Sequence, residues 1–257
     1  MTIFKFDGTF DGLLTSVFDS FARKETPDGL YRENDSLPLF YDSMHEVVTD
    51  EEKAGRVWTK LGKVISHGAR SALVSAYLTD NPEFPWLAFK FICRAVVSET
   101  SIESDFSDSS VLAVLKECRR VRGEAHRILQ FLRFQKGVDG TYFAMIEPLF
   151  DILPMTLNHF KDRFADQRFI IYDRLRNYGY FYDTQELKRI KLDSDMQYMA
   201  TGKLSEEQLD SDERLFQELW RVYFKSTAIM ERLNPRKQRQ DMPVRYWKYL
   251  TEMNGKL

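Results

Sequence analysis

Residues 124–183 read EAHRILQFLRFQKGVDGTYFAMIEPLFDILPMTLNHFKDRFADQRFIIYDRLRNYGYFYD. This stretch decides the fold class, because strand-like alternation lies on both sides of one helical segment. Alternation over 131–135 and 142–147, separated by the turn-rich Lys136-Gly137-Val138-Asp139-Gly140, predicts a β-hairpin. Phe131, Arg133 and Gln135 then share one face. Pro148 ends the second strand, Asp151 reads as an N-cap, and Pro154 is tolerated in a first helical turn, where its missing donor costs little. Leu153, Leu157, Phe160 and Phe164 form the stripe of a helix over 152–165, with His159 and Arg163, four apart, on its flank. Residues 169–173, 179–183 and 187–191 read as further strands, with Asn177 and Gly179 supplying turn chemistry. The expected fold is α+β, mostly helical, with a central antiparallel sheet backed by a helix. Tyr178, Tyr180 and Tyr182 share one strand face. Such a row either stacks on bases or covers a core with its hydroxyls at the edge.

Working outward, residues 3–6 alternate as a short strand, and Thr9 is placed to cap a helix running to Arg23. Residues 25–45 carry Pro27, Gly29, Asn34, Asp35 and Pro38 and read as a mobile loop. A second short strand is expected at 46–48. Thr49-Asp50-Glu51-Glu52 has the form of a capping box. The helix after it carries Ala54, Val57, Leu61 and Val64 on one stripe. Lys53, Arg56, Lys60 and Lys63 lie on another, which is either an ordinary solvated face or a row along a phosphate backbone. Helices are expected over 69–78 and 84–97. The polar, acidic residues 98–108 form a connector, and Asp108 or Ser109 caps a long helix with Val111, Val114, Cys118, Val121 and Ala125 buried. Arg119, Arg122 and His126 rise along its flank. The chain thus reads as one 257-residue domain with a sub-boundary near 98–108: an N-terminal helical region over 1–100, the helix-backed sheet over 109–192 and a C-terminal helical region over 205–257. In the last of these, Ser205 and Gln208 form a second capping box, and Leu215, Leu219, Val222 and Ile229 make an apolar row. That helix stops by Asn234-Pro235. The tail interleaves Arg236, Lys237, Arg239, Arg245 and Lys248 with Tyr246, Trp247 and Tyr249. It suits either nucleic acid or a terminal helix docked by its aromatics.

With 37 basic and 39 acidic residues the formal charge is −2, so binding to nucleic acid has to come from local clustering of cations. Cys93 and Cys118 are too few and too isolated for a disulfide framework or zinc site and read as buried thiols. The N-terminus lacks the pattern of a signal peptide, and Lys90 and Arg94 interrupt the longest apolar stretch, so the expectation is a cytoplasmic protein with no membrane association. No Walker loop, dinucleotide-binding glycine pattern, nucleophile elbow, CxxC pair or compact motif such as HExxH is present, so no metal and no cofactor is expected.

The stretches FDGTFDGLLTSVF, VVTDEEKAGRVWTKL, EAHRILQFLRF, YFAMIEPLFDILPMTLNHFKDRF, FIIYDRLR and ERLNPRKQRQDMPVRYWKYLTE together resemble a bacterial family of DNA-metabolism or DNA-repair proteins defined by a domain of unknown function. The resemblance runs over nearly the whole chain, except that 183–204 fits poorly. It implies a role in DNA repair as the partner of a radical-SAM protein, in a family whose members are sometimes fused to a uracil-DNA-glycosylase-like domain. Carried over residue by residue, its polar positions are His126, Arg133, Glu147, Asp151, His159, Arg163, Asp173 and Arg176.

Three functions follow as expectations. In the first, a DNA-repair accessory binds DNA through Arg119, Arg122, Arg133, Arg163, Arg176, Arg236, Lys237 and Arg245, arginine being suited to phosphate by its planar fork of donors. Alternatively, a metal- or histidine-dependent hydrolase uses His126 and His159 as acid and base with Asp173 as the orienting carboxylate, supported by Glu147 and Asp151. The third is a protein–protein adaptor without DNA contact. Taken singly, these residues also have structural readings: Asp151 as a cap, and Glu147 pairing with Arg133 across the hairpin.

Overall fold

The computed structural model describes residues 1–98, 100–192 and 202–253. Some of the poorly fitting stretch 183–204 therefore lies outside the described residues. The chain divides into two compact units, Met1–Arg122 and Gly123–Leu257. The polar residues 98–108 fall inside the first unit, and the division lies within a helix. Among the described residues no helix is long and apolar enough to cross a membrane.

In the first unit, β1 (Thr2–Phe6) leads to α1 (Phe10–Arg23), β2 (Gly29–Arg32), β3 (Ser43–Glu46), α2 (Glu51–Val64), α3 (His67–Tyr77), α4 (Phe84–Val97) and the start of α5 (Ser109–Phe131). The three strands form a parallel sheet in the order β2-β1-β3. Ile3, Phe4 and Phe6 of the central strand are buried, as in a parallel strand covered on both faces. Thr9 caps α1 by accepting from the Gly12 N–H at 2.9 Å. On α5, Val111, Val114, Cys118, Val121 and Ala125 are all buried, as their spacing predicts.

Two local expectations change. Residues 25–45 contain β2 and the start of β3 instead of a loop. Both are edge strands, which pair on one side only and so tolerate the proline, glycine and polar residues that disguise them. The cap of α2 is Asp50, not Thr49. The Asp50 carboxylate accepts from the Glu52 and Lys53 N–H groups at 2.9 and 3.0 Å. Thr49 donates instead to Asp7, at 2.9 Å.

The second unit holds a five-stranded sheet in the order β4-β5-β6-β7-β8. Its strands are β4 (Gln135–Lys136), β5 (Tyr142–Ile146), β6 (Phe169–Asp173), β7 (Tyr178–Tyr182) and β8 (Leu187–Ile190), with α6 (Leu153–Arg163) between β5 and β6. The α+β class is as expected, but the sheet is mixed. β5 and β6 run parallel, and the other pairs are antiparallel. A helix-bearing crossover joins β5 to β6, and such a connection returns the chain in the same direction. The expected strand over 131–135 shrinks to its last residue. α5 continues to Phe131, and the Leu132 N–H still donates to Ile128 at 3.0 Å. Buried Val121, Ala125 and Ile128 keep a helical period up to that point, and the apparent alternation is a helix end followed by an extended connector.

α6 covers one face of this sheet. Phe134 sits between them, its ring 6.0 Å from Phe160 and 5.8 Å from Phe169. Tyr178 and Tyr182 are buried on this side. The Tyr182 hydroxyl donates to the carbonyls of Ala165 and Thr184 at 3.2 and 2.9 Å. Of the two uses open to the tyrosine row, these two rings take the core-covering one. Asp151 does not cap α6, whose N-cap is Ile152. Its carboxylate instead accepts the Tyr178 hydroxyl. The other face is built on Phe143, Met145 and Tyr172, with Leu204 and Tyr249 packed against them. The chain ends in α7 (Glu213–Ser226), a 3₁₀ turn at Met230–Arg232, α8 (Pro235–Asp241) and a second 3₁₀ segment at Val244–Tyr249. The helix, expected to stop at or before Asn234-Pro235, ends at Ser226, which leaves Ile229 of the expected apolar row beyond it.

Gly179 faces Tyr172 across the β6–β7 pair. A Cβ there would lie 2.5 Å from the Ile171 carbonyl oxygen and 2.9 Å from the Tyr172 Cα. Backbone atoms cannot swing aside as a flexible side chain does. Gly179→Ala is therefore expected to destabilise the protein by about 1–3 kcal/mol in urea unfolding. An unchanged midpoint would show that the strand pair yields freely.

Candidate functional site

The parallel strands β5 and β6 end side by side, and polar side chains collect there. Glu147 follows β5, Asp173 closes β6, and Arg174 and Arg176 lie in the turn beyond. Asp173 is fully buried. Its carboxylate accepts from the N–H groups of Leu175 and Arg176, and pairs with the Arg176 guanidinium at 2.9 Å. Burial pushes its pKa up, and Arg176 only partly offsets this. Arg176 also donates to the carbonyls of Pro148 and Leu149, both at 3.1 Å. One guanidinium thus ties the turn after β6 to the loop after β5, using the spread of its planar fork.

Glu147 lies between Arg174, at 3.0 Å, and Lys248. Burial would raise its pKa, but Lys248, the Tyr249 hydroxyl and Arg174 outweigh burial and hold it below the usual range. Glu124, almost fully buried on α5, accepts from the Leu149 N–H at 3.1 Å and from Arg245. Glu252 accepts from Arg133 at 2.8 Å and from the Trp220 indole N–H at 2.9 Å. The Arg133 guanidinium also lies 5.4 Å from the Trp220 ring centre. Burial works against ionised Glu252 too, yet its own backbone N–H, Arg133 and Trp220 depress its pKa overall.

Five of the sequence-predicted residues, Arg133, Glu147, Asp173, Arg176 and Arg245, therefore enter this one network of carboxylate–guanidinium and carboxylate–ammonium pairs. The pairing of Glu147 with Arg133 is replaced: Glu147 takes Arg174 and Lys248, and Arg133 takes Glu252. The antiparallel hairpin that would have set them opposite each other is too short to do so. Each of these carboxylates faces at least one cation at hydrogen-bonding distance. The arrangement suits anchoring: Arg245, Lys248 and Glu252 fasten the C-terminal segment, with Tyr246 and Leu250 buried beside them.

The remaining predicted residues stand apart from this network. His126 is exposed on α5, 2.9 Å from the Gln130 side-chain nitrogen. His159 and Arg163 are exposed on α6. The His159 ring sits edge-on to Phe160 and the Arg163 guanidinium lies over Phe164. In the first unit, Arg119 is exposed and Arg122 donates to Ser71 and Ser75. Among the described residues, no group of three or more His, Cys, Asp or Glu side chains is arranged to hold a metal ion. Sequence reasoning missed Glu124, Arg174 and Glu252. Glu124 carried a usable signal, because it lies on the helical stripe of Val121, Ala125 and Ile128, where an acid requires a partner.

A second polar feature is solvent-facing. Arg232, Arg236, Lys237 and Arg239, four cations within eight residues, are all exposed. α8 begins with the Asn234 side chain accepting from the Lys237 N–H at 3.0 Å. The Lys237 ammonium pairs with Asp241 one turn on, at 2.8 Å, with both side chains in water.

Glu147→Gln removes a partly buried charge and leaves Arg174 and Lys248 without their anion. The variant is expected to lose about 1–3 kcal/mol at neutral pH in chemical denaturation. A depressed folded-state pKa contributes stability that is present above the ordinary glutamate value and lost as pH falls through the folded value. The gap between variant and wild type should therefore close over that acidic window. A gap independent of pH would assign the loss to packing.

A search of curated proteins and a search of solved structures each find no match. A family model described as a domain of unknown function, DUF4130, matches residues 82–252, which include every member of the carboxylate–arginine network and the exposed cations of 232–239. The chain belongs to that family.

Proposed function

We propose that the protein is an accessory in DNA repair or DNA metabolism that binds nucleic acid and works beside a radical-SAM-type partner. The observation that carries nucleic-acid binding is the exposed basic segment 232–239, whose four cations lie in solvent, Lys237 beside the exposed Asp241, while Arg133, Arg176 and Arg245 are engaged by buried carboxylates. On a chain of net charge −2, this local cluster is the kind of feature that draws a phosphate backbone. The repair context and the partner rest on the resemblance of the six sequence stretches quoted above.

Titration of the full chain against labelled single- and double-stranded DNA at two salt concentrations tests the proposal. Binding should be saturable and fall steeply between about 50 and 200 mM salt, since each phosphate contact releases counterions. The triple variant Arg236→Ala, Lys237→Ala, Arg239→Ala should weaken binding similarly for all sequences and reduce the salt slope by about 2–3. Absence of saturable binding to either DNA would remove DNA as a direct partner. A triple variant that binds like wild type would move the contact elsewhere.

A further inference from the structure

α7 is amphipathic, but its apolar side faces outward. The side turned to its own unit carries mostly polar groups, with half-buried Phe224 among them. Glu213 accepts from the Lys136 N–H at 3.2 Å, Gln217 donates to Glu213 at 2.9 Å, and Arg221 donates to the Thr251 carbonyl at 3.3 Å. Trp220 bridges the two sides through its bond to Glu252. On the outer side, Leu215, Phe216, Leu219, Val222 and Tyr223 are 56, 62, 53, 59 and 57% exposed. Ile229 and Leu233, just beyond the helix, are exposed to a similar degree. A surface helix ordinarily buries such a stripe. Together these side chains leave roughly 700 Å² of mostly apolar surface in water, larger than the patches most monomers show and close to the ~800 Å² that each partner gives a standard interface.

We propose that this face docks on the same face of a second copy of the chain, as an antiparallel helix pair with its two-fold axis at Leu219. An isologous interface requires a self-complementary patch. Pairing about Leu219 sets Leu215 of one copy against Tyr223 of the other and Phe216 against Val222, small opposite large in both cases. No charged residue lies within the row. At its ends, Asp212 at the helix start comes beside the neighbouring copy's helix end, where Lys225 lies, so unlike charges meet. The opposed helix dipoles add to this pairing. The exposed area approaches what each partner gives a standard interface, and the charge pattern favours the antiparallel arrangement. The proposal does not depend on DNA binding.

Light scattering and sedimentation equilibrium of the full chain decide it. The wild type should show twice its chain mass of 30.4 kDa at micromolar concentration. Leu219→Glu should shift it to the single mass while leaving its circular dichroism unchanged. Should that variant fail to fold, Leu219→Cys provides the second arm: under mild oxidation it should form a covalent dimer across the two-fold axis, which wild type with Cys93 and Cys118 alone does not form. A wild-type monomer throughout the concentration range, a folded Leu219→Glu dimer, or the absence of a Leu219→Cys cross-link would each overturn the proposal.

Discussion

The second unit depends on acids placed in its interior. Glu124, Asp173 and Glu252 are all buried, and each is met by an arginine: Arg245, Arg176 and Arg133 respectively. An ionised carboxylate without a partner in such surroundings costs several kcal/mol, so the arginines are a condition of the fold. Two of the pairs join Glu124 on α5 and Arg133, two residues past its end, to the C-terminal segment, across 121 and 119 positions of sequence. They fix where that segment lies, and buried Tyr246 and Leu250 then close the contact. Paired charges of this kind are weak evidence for net stability, since an apolar substitute of equal volume often does as well.

This constraint divides the tail into an anchored part and an exposed part. Arg245 and Lys248 belong to the fold, whereas 232–239 remains open to solvent. From sequence, the tail suited nucleic acid and docking equally. It does the second with residues 244–250, where Tyr246 and Leu250 are buried, while the short basic segment before them stays exposed. The same logic applies to α7, whose polar side reaches Glu252 and Thr251 and whose apolar side is thereby turned outward.

Much of the fold was legible where one face of an element meets a core. The stripes on α5 and α6 and strands β6 and β7 follow directly from periodicity. Edge strand β2 was hidden, and β3 was expected at 46–48 instead of Ser43–Glu46, because pairing on one side imposes little pattern. The parallel β5–β6 pair was hidden because strand direction lies in the crossover, not in the strands. The candidate site was legible only as residue types. Asp173 and Arg176 sit close in sequence and do pair, but Glu124 with Arg245 and Arg133 with Glu252 are long-range partnerships that no local spacing encodes. His126 and His159, which look alike in sequence, are each exposed on their own helix, α5 and α6, outside the carboxylate network.

The claim that these carboxylates serve the fold is tested most directly by a double-mutant cycle on Glu124 and Arg245, using Glu124→Gln and Arg245→Met with urea unfolding of all four proteins. A coupling energy of about 2–3 kcal/mol is predicted, at the upper end for residues that share one buried pair. Single-variant losses that add to within about 0.5 kcal/mol would contradict it.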